Sequence, residues 1–216
     1  MAGLFVSIEG IDGTGKSTQV KLLCDFLTRQ GIDFIYTREP GGTRLGEEIR
    51  AILLNPENQE MSTLTEMLLY AASRAQLVKE TIVPALRAGK VVICDRYVDS
   101  SIVYQGVGLG IGKDIVKAVN RVATGDLWPD LTLLFAFKES QEGRVKRHGG
   151  GKQERMPDRI EARNEEFHRR VEAAYRQLAD QYRKRIVVLD AEQRREDISN
   201  EVCSLVLSKY NSIRDM

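Results

Sequence analysis

The stretch LFVSIEGIDGTGKST, residues 4–18, carries the strongest structural signal in the chain. Residues 4–8 form a mostly apolar run that predicts a buried strand. Gly10 and Gly15, with Lys16-Ser17 directly after, have the spacing of the P-loop motif. The stretch therefore predicts a strand, a glycine-rich turn and a helix that opens at Lys16.

The chemistry of this turn explains its spacing. Glycines let successive backbone N–H groups curl around phosphate oxygens where a Cβ would clash, and the following helix points its positive end at the same group. Lys16 adds a charge that reaches the outer phosphates, and Ser17 is a ligand for Mg²⁺. We expect a phosphate chain to bind here; the alternative is a glycine-rich turn that carries Lys and Ser by chance.

The composition bounds the remaining possibilities. The 216 residues suit one α/β domain with room for a small insertion. Lys and Arg total 32 against 31 Asp and Glu, a net charge of +1, so we expect neither a nucleic-acid partner nor a membrane partner. Three widely spaced cysteines (Cys24, Cys94, Cys203) and no apparent targeting segment lead us to expect a reduced, cytoplasmic protein.

Five apolar runs alternate with helical patterns along the chain. The predicted strands are residues 4–8, 34–37, 91–95, 131–137 and 186–190. The predicted helices are residues 16–29, 44–54, 63 to about 87, 113–124, 161–181 and 194–209. This alternation predicts a three-layer α/β fold with a doubly wound, five-stranded parallel sheet of the P-loop NTP hydrolase type, whose ligands gather at the carboxyl ends of the strands.

Two further patterns fall in the long third helix. Thr63 and Glu66 have the spacing of a capping box at its start. Pro84 lies inside the same helical pattern, so we expect a kink or an early break near it.

Charged residues follow the first and third strands. Asp95 at a strand end suits the metal-shell role of a Walker-B acid, and Arg96 beside it offers a donor fork for phosphate oxygens. The alternative is a strand-end ion pair. Asp12 stands among phosphate-binding amides, which favours a cation or a hydroxyl as its partner; the alternative is a solvated turn aspartate.

Other candidates have structural alternatives of similar weight. Arg38 opens the loop Arg38-Glu39-Pro40-Gly41-Gly42, which could equally be a turn and a helix cap. Tyr70 and Arg74 share a helix face and could stack on and hydrogen-bond a base, or simply pack together. The hydroxyls and amide that could read a base or a sugar, or else serve as caps, are those of Ser100, Ser101, Tyr104 and Gln105.

Residues 144–159 are locally basic. Their cations outnumber Glu154 and Asp158; they are Arg144, Lys146, Arg147, Lys152, Arg155 and Arg159. With three consecutive glycines at 149–151, the segment fits a lid, at about 143–158, that closes over phosphates and excludes water. A solvated charge run is the alternative, and the lack of interleaved aromatics argues against nucleic-acid binding.

Together these residues resemble the thymidylate kinase family of nucleoside monophosphate kinases. The motifs in the family's order are 9-EGIDGTGKSTQ, 37-TREPGGT, 95-DRY, 104-YQG, 129-PDLT, 158-DRIE and 189-LDA. The P-loop is shared by many families, whereas the loop after the second strand combined with Asp95-Arg96-Tyr97 and Tyr104-Gln105-Gly106 is far more specific.

This resemblance implies transfer of the ATP γ-phosphoryl group to dTMP with Mg²⁺, by a homodimer. The ATP site would comprise Gly10, Ile11, Asp12, Gly13, Thr14, Gly15, Lys16, Ser17, Thr18, Asp190 and Ala191. The dTMP site would comprise Asp12, Arg38, Tyr70, Arg74, Arg96, Ser101, Tyr104 and Gln105. Metal ligands would be Ser17, Asp12 and Asp95, and catalysis would depend on Lys16, Asp12, Arg96, Arg147 and Arg155.

The sequence departs from the family pattern in three places. Gly13 stands where some members carry a catalytic arginine, so the resemblance implies that the lid supplies this cation through Arg147 or Arg155. The lid is also longer than the common form, and Ala136 stands where the corresponding strand often has aspartate.

Two competing functions are open to test. One is a kinase for another pyrimidine monophosphate. The other is a GTP-binding regulatory module, against which the sequence lacks a guanine-reading Asn-Lys-x-Asp run.

Overall fold

The computed structural model describes residues 3–137 and 157–214. Its five strands are β1 (Leu4–Glu9), β2 (Phe34–Arg38), β3 (Val91–Asp95), β4 (Leu131–Ala136) and β5 (Ile186–Asp190). All pair in parallel, in the order β2-β3-β1-β4-β5. The predicted fold class is confirmed.

Helices connect the strands and cover the sheet. They are α1 (Lys16–Arg29), α2 (Arg44–Leu54), α3 (Thr63–Leu77), α4 (Val83–Arg87), α5 (Val98–Ser101), α6 (Lys113–Thr124), α7 (Glu165–Gln181) and α8 (Arg195–Arg214). Two π-helical segments, Val78–Ile82 and Ile102–Gly108, follow α3 and α5. No helix in this described part combines the length and the apolar character needed to cross a membrane.

The core lies on both faces of the sheet. On one face, alternate residues of β1 such as Val6 and Ile8 pack with Leu23 of α1 and Val202 of α8. On the other, Phe5 packs with residues that follow α3 and β3, and Leu134 packs with α7. Because both faces are covered, the central strands are apolar along almost their whole length, as expected for a parallel sheet.

The predicted capping box at Thr63 and Glu66 is wrong. Ser62 is the N-cap of α3, and its hydroxyl accepts from the backbone N–H of Thr65 at 3.1 Å. The Glu66 carboxylate is 1% exposed and binds side chains from other elements instead of the helix start. Because Ser62 caps the helix, the Glu66 side chain is not needed at the helix start and can pair with buried residues instead.

The expected irregularity near Pro84 is confirmed, and it is spread over a full turn. α3 ends at Leu77, the π-helical segment Val78–Ile82 follows, and Pro84 lies in the first turn of α4. Proline has no N–H to donate to the preceding turn, so the helix changes its winding before it.

Element ends differ elsewhere by a few residues. α7 starts at Glu165 and not at residue 161, because the Asp158 carboxylate accepts from the N–H groups of Ile160 and Glu161 and holds a turn there. β4 stops one residue early, at Ala136, and α8 runs to Arg214. The predicted lid lies almost wholly outside the described residues.

Candidate active site

The P-loop connects β1 to α1 as predicted. Its glycines have backbone conformations that other residues rarely adopt, and a Cβ on Gly10 would lie 2.3 Å from the carbonyl oxygen of Phe135. The Lys16 ammonium group donates to the carbonyl oxygens of Gly10 (2.9 Å) and Ile11 (2.7 Å). Burial, together with the charge of nearby Arg96, lowers the pKa of Lys16 to about 8. Lys16 thus folds back over the loop that would hold phosphate.

Asp12 links this loop to the residues after β3. Its Oδ1 lies 3.7 Å from the Lys16 Nζ and accepts from Arg96 Nη2 at 2.7 Å. Arg96 has a φ of 67°, unusual for a residue with a side chain, and such conformations concentrate at functional sites. The structure therefore brings Asp12, Lys16 and Arg96 together.

Asp95 has the properties of a metal-shell carboxylate. Its Oδ1 is buried and has no hydrogen-bond partner within residues 3–137 and 157–214. The same described residues hold no cluster of three histidine, cysteine or carboxylate side chains suited to a metal. An ion beside Asp95 would need most of its ligands from phosphates and water, which is how Mg²⁺ is usually bound in kinases. The buried, unpartnered oxygen of Asp95 fits this arrangement.

The loop after β2 places two arginines together. Arg38 is half-exposed and pairs with Glu47, its Nη2 lying 3.0 Å from Oε2. Arg50 on α2 donates to the carbonyl oxygen of Pro40 at 2.9 Å, and the peptide between Glu39 and Pro40 is cis. Burial and the charge of Arg38 lower the pKa of Arg50. Two neighbouring cations of this kind suit a doubly charged phosphate.

Arg74 is buried in a network of its own. Its donors reach Glu39 Oε2 (2.8 Å from Nε, with a second contact from Nη2), Ser101 Oγ (2.9 Å), Asn120 Oδ1 (2.6 Å) and the Tyr97 carbonyl oxygen (3.4 Å). Five contacts match the five N–H donors of a guanidinium group. The predicted hydrogen bond from Arg74 to a base stays a prediction, and it requires one of these contacts to be exchanged.

Glu66 gathers a second network one helical turn before Tyr70. Its Oε1 accepts from Gln105 Nε2 at 3.1 Å, and its Oε2 accepts from Arg159 (2.7 Å) and Arg163 (2.5 Å). Arg159, which the sequence grouped with the lid cations, is only 6% exposed and forms this ion pair. Arg159 is therefore a buried anchor and not a solvated lid charge.

The chain is similar to known proteins along almost its whole length. The family model described as thymidylate kinase matches residues 8–202. Thymidylate kinases of Exiguobacterium sibiricum and Halothermothrix orenii are each 49% identical, over 96% and 94% of this chain and 96% and 95% of their own lengths. A crystal structure of thymidylate kinase from Ehrlichia chaffeensis has a TM-score of 0.75 at 30% identity, covering 96% of this chain and 99% of that one.

The chain belongs to the thymidylate kinase family. It is therefore a kinase, a nucleotide-binding phosphotransferase enzyme of nucleotide biosynthesis. The resemblance seen in the motifs is confirmed.

Sequence reasoning missed Glu9 and Tyr175, which the structure places beside Arg96. Glu9, at the end of β1, is fully buried; its Oε2 accepts from Ser100 Oγ (2.6 Å) and Tyr175 Oη (2.9 Å). Both hydroxyls also lie 3.4 Å from Arg96 Nη1. Burial raises the pKa of Glu9, while the hydroxyl hydrogen bonds lower it. The sequence offered one sign of this role for Glu9, because a carboxylate stands at the end of a mostly apolar strand.

The remaining predicted residues of the family site fall at the same edge of the sheet, or outside the described residues. The ring of Tyr104 lies under the Arg96 guanidinium group, 5.2 Å from its carbon. Asp190 and Ala191 follow β5, where the Ala191 N–H donates to the carbonyl oxygen of Ala136. Arg147 and Arg155 are outside the described residues, so their roles stay predictions.

Proposed function

We propose that this chain transfers the γ-phosphoryl group of ATP to dTMP, giving dTDP and ADP for dTTP synthesis. The observation that carries the proposal is the shared carboxylate of Asp12, which contacts both Lys16 of the P-loop and Arg96 of the loop after β3. One carboxylate thereby holds together Lys16, which would bind the donor phosphates, and Arg96, which would bind the acceptor phosphate. The relatives named thymidylate kinase support dTMP as the acceptor.

The donor half consists of the P-loop and α1. Backbone N–H groups of residues 10–18 and the Lys16 ammonium group hold the phosphate chain of ATP, and Lys16 exchanges its two carbonyl contacts for phosphate oxygens. Asp190 and Ala191, at the end of β5, lie against adenine. The protein does little covalent chemistry here, since phosphoryl transfer depends mainly on alignment and charge stabilisation.

The acceptor half consists of the loops after β2 and β3 and one face of α3. Arg38 and Arg96 bind the dTMP phosphate, with Arg50 close to the first of them. Asp12 and Arg96 begin as an ion pair, which the incoming phosphate replaces on the arginine side. The base pocket is formed by Tyr70, Arg74, Ser101, Tyr104 and Gln105.

A magnesium ion fits the residues at the junction of the two halves. The unpaired Oδ1 of Asp95 and the hydroxyl of Ser17 would hold it, with Asp12 nearby. An ion held there would supply positive charge against the charge that develops on the transferring phosphate. The protein's own part is to fix these oxygens before nucleotide arrives.

The last catalytic cation comes from the lid. Gly13 gives the P-loop no arginine of its own, so Arg147 or Arg155 supplies one. Arg147→Ala and Arg155→Ala should then differ sharply in turnover. Equal and small effects would remove both from the mechanism.

The activity is tested directly with the purified protein. ADP release is measured with ATP and Mg²⁺ in the presence of dTMP, dUMP, UMP, dCMP or dGMP, and the expected result is fastest release with dTMP. No release above the level without acceptor contradicts the proposal. Preference for another nucleotide in the panel favours the competing pyrimidine kinase, and displacement of bound nucleotide by GTP better than by ATP favours a regulatory module.

We also propose that the enzyme works as a cytoplasmic homodimer. Three helices packed side by side, α2, α3 and α6, each expose large apolar side chains. They are Leu45, Ile52, Leu64, Leu68, Ile115 and Val122, each at least 41% exposed. Apolar side chains concentrated on adjacent helices suit a partner surface of the same kind.

A further inference from the structure

Two rows of side chains face each other across the proposed base pocket. Glu66, Tyr70 and Arg74 are four residues apart on α3 and share one face of it. Ser101 and Gln105 lie one turn apart on α5 and the π-helical segment that follows. Hydrogen bonds join the rows at both ends, from Gln105 Nε2 to Glu66 Oε1 (3.1 Å) and from Arg74 Nη1 to Ser101 Oγ (2.9 Å).

The contact with Glu66 fixes which end of the Gln105 amide is free. A carboxylate that pairs with two arginines accepts hydrogen bonds and donates none, so Gln105 must present its nitrogen to Glu66. The atom left over is the carbonyl oxygen, Oε1. Within the described residues no hydrogen bond reaches this oxygen, although the side chain is only 3% exposed. The Gln105 carbonyl oxygen can therefore accept a hydrogen bond from a bound base.

We propose that Glu66 is a positioning residue that sets base selectivity by turning the Gln105 carbonyl oxygen toward the acceptor base. Thymine and uracil carry an N3–H that can donate to this oxygen. Cytosine carries a lone pair at N3, which would leave two acceptors facing each other without a proton. This inference rests on the proposed kinase activity and assigns part of its substrate choice to a residue that need not touch the substrate.

The test compares dTMP with dCMP in Glu66→Gln. The new amide can donate to Gln105 as well as accept from it, so Gln105 is free to present either end to the base. The ratio of kcat/KM for dTMP over dCMP is expected to fall by about tenfold or more. This ratio does not depend on the fraction of active protein, because both substrates are measured on one preparation, so a loss of folding alone does not move it.

Two further variants separate positioning from a structural role. Arg163→Lys alters the ion pair at the other carboxylate oxygen and leaves the Gln105 contact in place, so the ratio should stay at the wild-type value. Glu66→Asp keeps the charge that the two arginines need but withdraws the acceptor from Gln105, so the ratio should fall. Glu66→Asp serves in place of Glu66→Gln if the latter does not fold.

A double-variant cycle decides whether the effect passes through Gln105. In a Gln105→Ala background, Glu66→Gln should no longer change the ratio. A ratio unchanged in both Glu66 variants overturns the inference, as does a Glu66 effect that persists without Gln105. Calorimetric binding of dTMP and dCMP measures the base preference separately, as a ratio of dissociation constants, without turnover. A wild-type protein that prefers dTMP in binding but does not phosphorylate it would overturn the proposed function alone.

Discussion

The carboxylate of Asp12 touches a cation from each half of the site. Lys16 and Arg96 lie close together in a largely buried space, and the charge of Arg96 helps to lower the pKa of Lys16. Asp12 offsets this effect. Asp12 thus gives the two cations that we propose to bind phosphate an internal anion, which the incoming substrates would replace.

Replacing Arg96 should affect turnover far more than ATP binding. Arg96→Ala removes a charge directed at the acceptor and the transferring group, so kcat is expected to fall by about a hundredfold to a thousandfold. The affinity for ATP, measured by calorimetry, should change little. The matched control is Arg121→Ala, which removes an exposed arginine whose ion pair, within residues 3–137 and 157–214, is with Asp126. An unchanged rate in Arg96→Ala would exclude it from the mechanism.

Nucleotide binding should depend on the protonation of Lys16. Its pKa of about 8 means that the free protein loses the charge as pH rises through that value, and ATP needs the charged form. Affinity for ATP is expected to fall about tenfold per pH unit above pH 8, with proton uptake on binding. Calorimetry in buffers of different ionisation enthalpy measures this uptake, and Lys16→Met should abolish it.

The lowered pKa of Lys16 affects folding in the opposite direction, because it makes the free energy of unfolding increase with pH. Between about pH 8 and the ordinary lysine value of 10.5, the unfolded chain binds more protons at Lys16 than the folded one does. The Lys16 contribution to the free energy of unfolding should therefore rise with pH in this window.

For the binding experiment, equal proton uptake in wild type and Lys16→Met would show that another group is responsible for the pH dependence of ATP binding.

Individual roles were predictable where the partners are close in sequence, as in the P-loop. Arg74 shows the limit: its partners Glu39, Ser101 and Asn120 are 35, 27 and 46 residues away. Glu66 shows it again, because a spacing typical of a capping box hid a contact with Arg159, 93 residues further on. Such partners become neighbours only through the packing of α3 against several elements.

Helices and strands were predictable to the extent that local patterns define them. The five strands end within one residue of their predicted bounds, because apolar runs in a buried parallel sheet have few alternatives. α7 began later than expected, since the turn held by Asp158 and the cap at Asn164 look like helical sequence. The π-helical segments had no local signature beyond Pro84 and the glycines at 106 and 108.

The start of α7 offers a test of this reasoning. The Asn164 side chain accepts from the Phe167 N–H at 2.9 Å, so Asn164→Ala should lower the free energy of unfolding by about 1 kcal/mol. Asn164→Asp keeps the acceptor and should lie near wild type. Urea denaturation measures both. Equal losses in the two variants would mean that the cap contributes nothing.

The folded protein exposes large apolar side chains on three neighbouring helices, α2, α3 and α6. The exposed apolar residues of α2, α3 and α6 contrast with the buried interior that these helices share with the sheet. A two-fold dimer repeats any change on both sides of such an interface. Single substitutions there should therefore have large effects on assembly.

Leu68→Lys is expected to weaken the proposed dimer by about tenfold or more in Kd, because each copy would bury an unpaired charge. Val188→Lys is the matched control: the two side chains are 50% and 52% exposed, but Val188 lies on the edge strand β5. Sedimentation velocity over a range of concentrations measures the dissociation. A monomeric wild-type protein, or equal effects of both substitutions, would contradict the dimer.

The strand order also governs when the chain can fold during its synthesis. β1 is made first, yet its neighbours are β3 and β4, so its second edge stays unpaired until about residue 136 has been made. The P-loop follows that strand directly, and its Gly10 packs closely against the carbonyl oxygen of Phe135 in β4. The phosphate-binding turn near the start of the chain therefore gains its final shape only after more than half of the protein has left the ribosome.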